Sequence, residues 1–151
     1  MAHYRTTLHV PTSVEDTFDY LASFDTTAEW DPGVAEAHMT TPPPVAQGTR
    51  FMVVARFLGR KVPLEYEIVQ FERPGSVVLQ AQNGSVTSRD VITVEPGPDG
   101  TTSVTYDATL QARGLARIAE PLLALMFRKI GDAATDGLAN TLQARAADQV
   151  P

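Results

Sequence analysis

The chain of 151 residues has no cysteine, three histidines and one tryptophan. Without cysteine there is no thiol nucleophile, no disulfide framework and no thiolate zinc site, and a reducing compartment suits such a chain. The histidines add no metal chemistry: His3 and His9 share the outward parity of one strand and His38 stands alone, so no pair has the spacing of a zinc or iron site. Gly-x-Ser-x-Gly, phosphate-loop and Gly-x-Gly-x-x-Gly motifs are missing, which removes the usual routes to serine hydrolysis and nucleotide binding; no cofactor is expected. No stretch approaches the ~18 apolar residues of a membrane-spanning helix, and residues 1–10 lack the apolar run of a secretory signal. Basic side chains are the minority, 12 Lys and Arg against 18 Asp and Glu, for a formal net charge of -6. That balance opposes the sequence-independent pull of nucleic acids and anionic membranes. The expectation is a cytoplasmic protein with no nucleic-acid partner and no membrane span; a homodimer stays open.

What is present suits one domain over residues 1–151, with 43% hydrophobic and 20% charged residues. A chain of this length can remove roughly 70% of its unfolded surface from water, enough for one core with room for a cavity. Alternating apolar residues mark a strand at 3–10, with Tyr4, Thr6, Leu8 and Val10 inward. Ser13 followed by Asp16 reads as a weakened capping box that opens a short helix carrying Val14, Phe18, Tyr20 and Leu21, and 24–30 continues as a second. Asp31-Pro32-Gly33 has turn chemistry, with glycine free to take positive φ. Strands follow at 34–40, 49–57, 61–73, 76–82, 85–95 and 101–112, with the Asn83-Gly84 dipeptide as the strongest hairpin signal, of type I′. The last helix, 115 to about 147, carries Leu115, Ala119, Leu122, Leu123, Met126 and Ile130 and then Ala133, Ala134, Gly137 and Thr141 on one broad stripe. Pro121 should kink it, Gly137 should permit close approach to the sheet, and residues 144–151 should fray.

Several segments resemble a known superfamily: Val10-Pro11 followed by the run Val14 to Leu21, Trp30-Asp31-Pro32-Gly33-Val34, Gly48-Thr49-Arg50-Phe51, the run Gly100 to Tyr106, Pro121-Leu122-Leu123 and Gly137-Leu138. In that order and almost over the full length, they resemble the helix-grip fold of the START-like or SRPBCC superfamily, and within it the polyketide cyclase/dehydrase branch. The implied fold is α+β, a seven-stranded antiparallel sheet wrapped around a long C-terminal helix, with two short helices after the first strand. The resemblance also implies an elongated, mostly apolar cavity between sheet and helix. Members bind lipids, sterols, polyketides and other hydrophobic molecules, and only some catalyse. These segments mark turns and core positions rather than chemistry.

Strand parity and the helix stripe then nominate the ligand-binding side chains: Phe51, Val53, Leu64, Tyr66, Ile68, Leu79, Asp90, Ile92 and Tyr106 from the sheet, Leu122, Met126 and Ile130 from the helix, and Trp30 from the loop region. The expected cavity has roughly 300 to 1,000 Å³. Asp90 shares the parity of Ile92 and Val94, so it should be the one inward carboxylate of the strands, while Glu65, Glu67 and Asp107 point out. Desolvation would raise its pKa and suit it to acid or base work, though a strand-end carboxylate wetted by the cavity mouth fits the same pattern. Tyr66 and Tyr106 could orient a carbonyl or simply satisfy their hydroxyls in the core, and Trp30 could wall the cavity or plug it. Three functions follow. A small hydrophobic ligand, lipid-like or polyketide-like, could be held between sheet and helix. A polyketide cyclase or dehydratase could use Asp90, Tyr66 or Tyr106, although no catalytic set of aromatase/cyclase members maps onto specific positions here. A protein-interaction module of the toxin or co-chaperone type would instead show a collapsed cavity and an exposed apolar patch.

Overall fold

A computed structural model describes residues 1–148. The strands are β1 (Ala2–Val10), β2 (Val34–Met39), β3 (Arg50–Phe57), β4 (Arg60–Glu72), β5 (Ser76–Gln82), β6 (Val86–Pro96) and β7 (Thr102–Ala112). They form one antiparallel sheet in the order β1-β7-β6-β5-β4-β3-β2. The helices are α1 (Val14–Ala22), α2 (Thr27–Trp30) and α3 (Glu120–Asp148), with a 3-10 turn at Phe24–Thr26 between the first two. The fold class and the two short helices after β1 agree with the sequence-based expectation. Of the expected fraying tail 144–151, residues 144–148 instead continue the helix, and 149–151 lie outside the described residues.

Local chemistry explains the boundaries. The Ser13 hydroxyl accepts the backbone N–H of Asp16 at 3.1 Å, capping α1. At the turn before β2, Asp31 accepts from Val34 N–H through its carbonyl and from Gly33 N–H through Oδ1, at 3.0 and 2.8 Å. Gly33 does not take the positive φ expected of it; a Cβ there would stand 3.1 Å from Asp31 Oδ1. A positive-φ pair belongs instead to the β3–β4 hairpin, where Leu58 (φ 51) and Gly59 (φ 75) connect the paired residues Phe57 and Arg60. Asn83-Gly84 turns differently from the expected type I′: Asn83 Oδ1 accepts from both Ser85 and Val86 N–H, at 2.8 and 2.9 Å.

The concave face of the sheet is filled unequally. At the end where β1 leads into α1, Phe18 meets Phe71 edge-on at 5.5 Å and Phe24 meets Phe51 at 6.4 Å. There Phe51, Ile68, Leu79 and Ile92 are completely buried. The other end is spanned by the first half of α3, and two glycines set how closely that helix approaches. A Cβ on Gly131 would stand 2.6 Å from the Tyr4 ring, and one on Gly137 only 1.9 Å from the Trp30 carbonyl oxygen. Gly137 therefore serves close approach to the end of α2 rather than to the sheet, and Gly131 does so against β1.

Three features of the last segment depart from expectation. Residues Gly114–Ala119 form a 3-10 turn, so the α-helix starts at Glu120. Pro121 falls in its first turn, where a missing N–H costs nothing, and begins the helix instead of kinking it. The inward stripe is rotated: Leu115 is 89% and Leu122 52% exposed, whereas Leu123, Leu138 and Leu142 are buried. Consecutive helical residues differ by 100°, so a stripe anchored at Gly131 and Gly137 carries Leu123 inward and turns Leu122 away.

Gly137→Ala should lower unfolding free energy by about 3 kcal/mol, because neither backbone can yield to a Cβ at that distance. Leu122→Ala should cost less than about 0.5 kcal/mol and Leu123→Ala about 2. Denaturant titration of the three variants checks this; equal costs at the two leucines would mean a different helix rotation.

Candidate functional site

Between α3, α2 and the incompletely filled half of the sheet lies a cavity of about 420 Å³. Tyr4, Thr6 and Leu8 of β1 form one wall, and Leu123, Phe127, Ile130 and Ala134 of α3 form the roof. Asp90 and Ser88 of β6, Tyr106 and Ala108 of β7 and Tyr66 of β4 lie on the floor, and Trp30 and Phe24 close the inner end.

Of the residues expected to contact a ligand, Trp30, Val53, Leu64, Tyr66, Asp90, Tyr106 and Ile130 line this cavity. Phe51, Ile68, Leu79 and Ile92 have the expected inward parity but lie in solid core, outside the lining. The reason is the aromatic plug of Phe18 and Phe24, which fills that end of the concave face. Leu122 and Met126 are also outside it, replaced by Leu123 and Phe127 one position along the rotated helix. Phe24, Asp31, Ser88 and Phe127 escaped sequence reasoning. Ser88 could have been found, since it shares the parity of Asp90; Asp31 was hidden in a tripeptide whose turn chemistry already accounted for it.

The floor carries a connected polar group in otherwise apolar surroundings. Tyr66 and Ser88 hydroxyls are 2.8 Å apart, Ser88 Oγ donates to Asp90 Oδ1 at 3.5 Å, and Tyr106 donates to Asp90 Oδ2 at 2.5 Å. Register makes this possible. Tyr66 is paired with Ala81, which is paired with Ser88, so the small alanine lets the tyrosine reach across β5. Asp90 is paired with Ala108, and Ile92 with Tyr106, which puts Tyr106 on the diagonal from the carboxylate.

Asp90 is 6% exposed, and burial pushes its pKa from 3.8 up to about 6. The Tyr106 hydrogen bond pulls the other way, the Asp31 charge adds to the rise, and the Ser88 bond again opposes it. Asp31, which also borders the cavity, has its pKa raised by burial and held back by the Gly33 N–H. Burial and the Asp90 charge raise both tyrosines, so both keep their protons at neutral pH. Trp30 packs edge-on to Tyr106 at 6.0 Å, and its buried Nε1–H has no acceptor among the described residues. As expected, Asp90 is the inward carboxylate of the strands: Glu65 and Glu67 pair with Arg50, and Asp107 with His3 and Arg5, on the outer surface. No group of three or more potential metal ligands occurs among the described residues.

Such a site can enclose an apolar molecule, donate hydrogen bonds from tyrosine hydroxyls and accept a proton near neutral pH. Its titration gives a stability signature. Because the folded pKa of Asp90 exceeds the unfolded value, its contribution is fully present below about pH 4 and is lost as pH rises through about 6. Relative to Asp90→Asn, which keeps an acceptor for Tyr106, the parent protein should lose about 3 kcal/mol of stability between pH 3.5 and 7.5. Urea titrations across that window test it; parallel curves would show an Asp90 that titrates normally.

No significant match to a curated protein is found. Among solved structures, a START superfamily protein from Mycobacterium smegmatis superposes with a TM-score of 0.73 at 12% identity, over 98% of this chain and 99% of its own. A protein of Thermus thermophilus gives 0.78 at 14% identity, over 95% and 98%. The Zhui aromatase/cyclase from a Streptomyces species gives 0.75 at 11% identity, over 99% and 95%. At these identities the likeness establishes the shared helix-grip fold. The sequence itself matches a family over residues 1–143, and the chain belongs to that family, described as polyketide cyclase / dehydrase and lipid transport.

Proposed function

We propose that the protein binds a small, mostly apolar molecule, lipid-like or polyketide-like, in the cavity between sheet and α3. The observation that carries this reading is the combination of an apolar cavity of about 420 Å³ with one connected polar cluster on its floor. That volume falls within the range of small-molecule sites, whose few polar groups orient an otherwise apolar ligand. Affinity would come from apolar burial at ~25 cal/mol per Å², reduced by ordering costs. Tyr66 and Ser88 would meet an oxygen of the ligand, and Asp90 would accept from a ligand hydroxyl.

Asp90 supports a second reading, a polyketide cyclase or dehydratase. Its carboxylate would take a proton from the carbon between two carbonyls, while a tyrosine hydroxyl donates to the oxygen on which charge develops. The interaction-module reading required a collapsed cavity, and the open one counts against it.

Native mass spectrometry of protein purified from its own host should reveal a retained apolar molecule. Nile red should bind the empty protein, and Leu123→Trp, which projects a larger ring into the cavity, should weaken that binding about tenfold while leaving the circular dichroism spectrum unchanged. No retained molecule and no dye binding would overturn the ligand reading. Asp90→Asn separates the two functions: a binding protein keeps its affinity for the retained molecule, whereas an enzyme keeps binding and loses turnover.

A further inference from the structure

Antiparallel topology gathers the β3–β4 hairpin, the β5–β6 turn, the end of β7 and the start of α3 at one end of the sheet. The cavity opens there, since Phe57, Val62, Asn83, Ala116 and Ala119 all contribute to its lining. This end is unlike the rest of the molecule. Leu58 is 63% exposed at the hairpin tip, and Leu115, Ile118, Leu122 and Leu125 project 52–89% of their surface at spacings of three and four residues. Leu58 also has φ 51, a left-handed conformation that a turn would ordinarily give to asparagine or glycine. An exposed leucine held in an unfavourable conformation has no packing role to explain it.

Charge follows the same boundary. Arg56, Arg60 and Lys61 on the hairpin and Arg113, Arg117, Arg128 and Lys129 around the start of α3 are all exposed, and Glu120 is the one acidic residue in those two segments. Seven of the 12 basic and one of the 18 acidic residues therefore lie in the hairpin and the first part of the C-terminal segment of a chain whose formal charge is -6. None of these seven makes a salt bridge among the described residues, and Glu120 pairs with the amino group of Met1.

We propose that the mouth is a docking surface for an anionic lipid bilayer, with Leu58, Leu115, Ile118, Leu122 and Leu125 entering the interface and the surrounding cations meeting lipid phosphates. Two protrusions of flexible aliphatic side chains ringed by Arg and Lys suit a fluid apolar layer beneath a negative surface. Two copies of this chain would not suit each other here, because an isologous contact would set one basic patch against another. Docking in this orientation brings the cavity opening to the bilayer, so an apolar ligand passes between the two without crossing water. That purpose rests on the ligand-binding reading; the docking itself does not.

Co-sedimentation with vesicles of phosphatidylcholine containing 30% phosphatidylglycerol, at low and at physiological salt, tests the surface. The protein should bind these vesicles, bind pure phosphatidylcholine far less, and dissociate in part, not wholly, as salt rises. Arg60→Glu/Lys61→Glu should cut partitioning by about tenfold or more. Ile118→Ser/Leu122→Ser should cut it comparably and remove the salt-resistant fraction, with unchanged circular dichroism and unchanged Nile red binding. Absence of binding to anionic vesicles at low salt would overturn the proposal, as would binding indifferent to the aliphatic substitutions. A dimer in sedimentation velocity that Ile118→Ser/Leu122→Ser dissociates would overturn it in favour of a protein interface. Vesicle and dye binding are read separately, so either can fail alone.

Discussion

The height of α3 above the sheet is fixed where two glycines meet other groups, Gly131 on the Tyr4 ring and Gly137 on the Trp30 carbonyl oxygen. Each glycine costs the helix about 1 kcal/mol relative to alanine, and each removes a side chain that would otherwise hold the helix off its neighbours. Everything downstream depends on those two contacts. They choose which side of α3 faces the sheet, seat its second half on α2, and leave its first half bridging a gap that Leu123, Phe127 and Ile130 enter without filling. The aromatic plug of Phe18 and Phe24 at the opposite end completes the division, so the concavity is part core and part cavity.

The polar group on the floor is a consequence of sheet register rather than of any one residue. Antiparallel pairing gives each inward side chain fixed lateral neighbours, and small residues at Ala81 and Ala108 open the space across which Tyr66 and Tyr106 reach toward Ser88 and Asp90. A carboxylate in such surroundings is costly to ionise, yet the tyrosine bond recovers part of the loss, and the outcome is a group that titrates near neutrality. Asp31, placed by a turn rather than by a strand, deepens the same field from the other side.

Strand periodicity was the readable part of the site. A period of two admits one inward face, so Tyr66, Asp90 and Tyr106 could be placed inward from their alternation with polar neighbours. The helix could not be treated in that way. Leu122, Leu123, Leu125, Met126 and Phe127 spread over more than half of the helix circumference, and hydrophobicity alone cannot choose the rotation within so broad an apolar arc. Rotation is decided by steric contact at Gly131 and Gly137, which is tertiary information. The extent of the cavity was illegible for the same reason: Phe51 and Tyr66 share one parity, and only the position of Phe24 separates core from lining. Whole-chain charge is blind to distribution: a sum of -6 conceals a basic end on an acidic molecule.

The unfilled half of the concavity has a further consequence. Its walls lack the dispersion contacts that a solid core would supply, so the empty protein is the less stable form. Any molecule that fills the space binds the folded chain and not the unfolded one, and thereby shifts the folding equilibrium. On the ligand-binding reading proposed above, unoccupied copies would then open more often and be degraded first, and the lifetime of the protein in a cell would track the supply of that ligand.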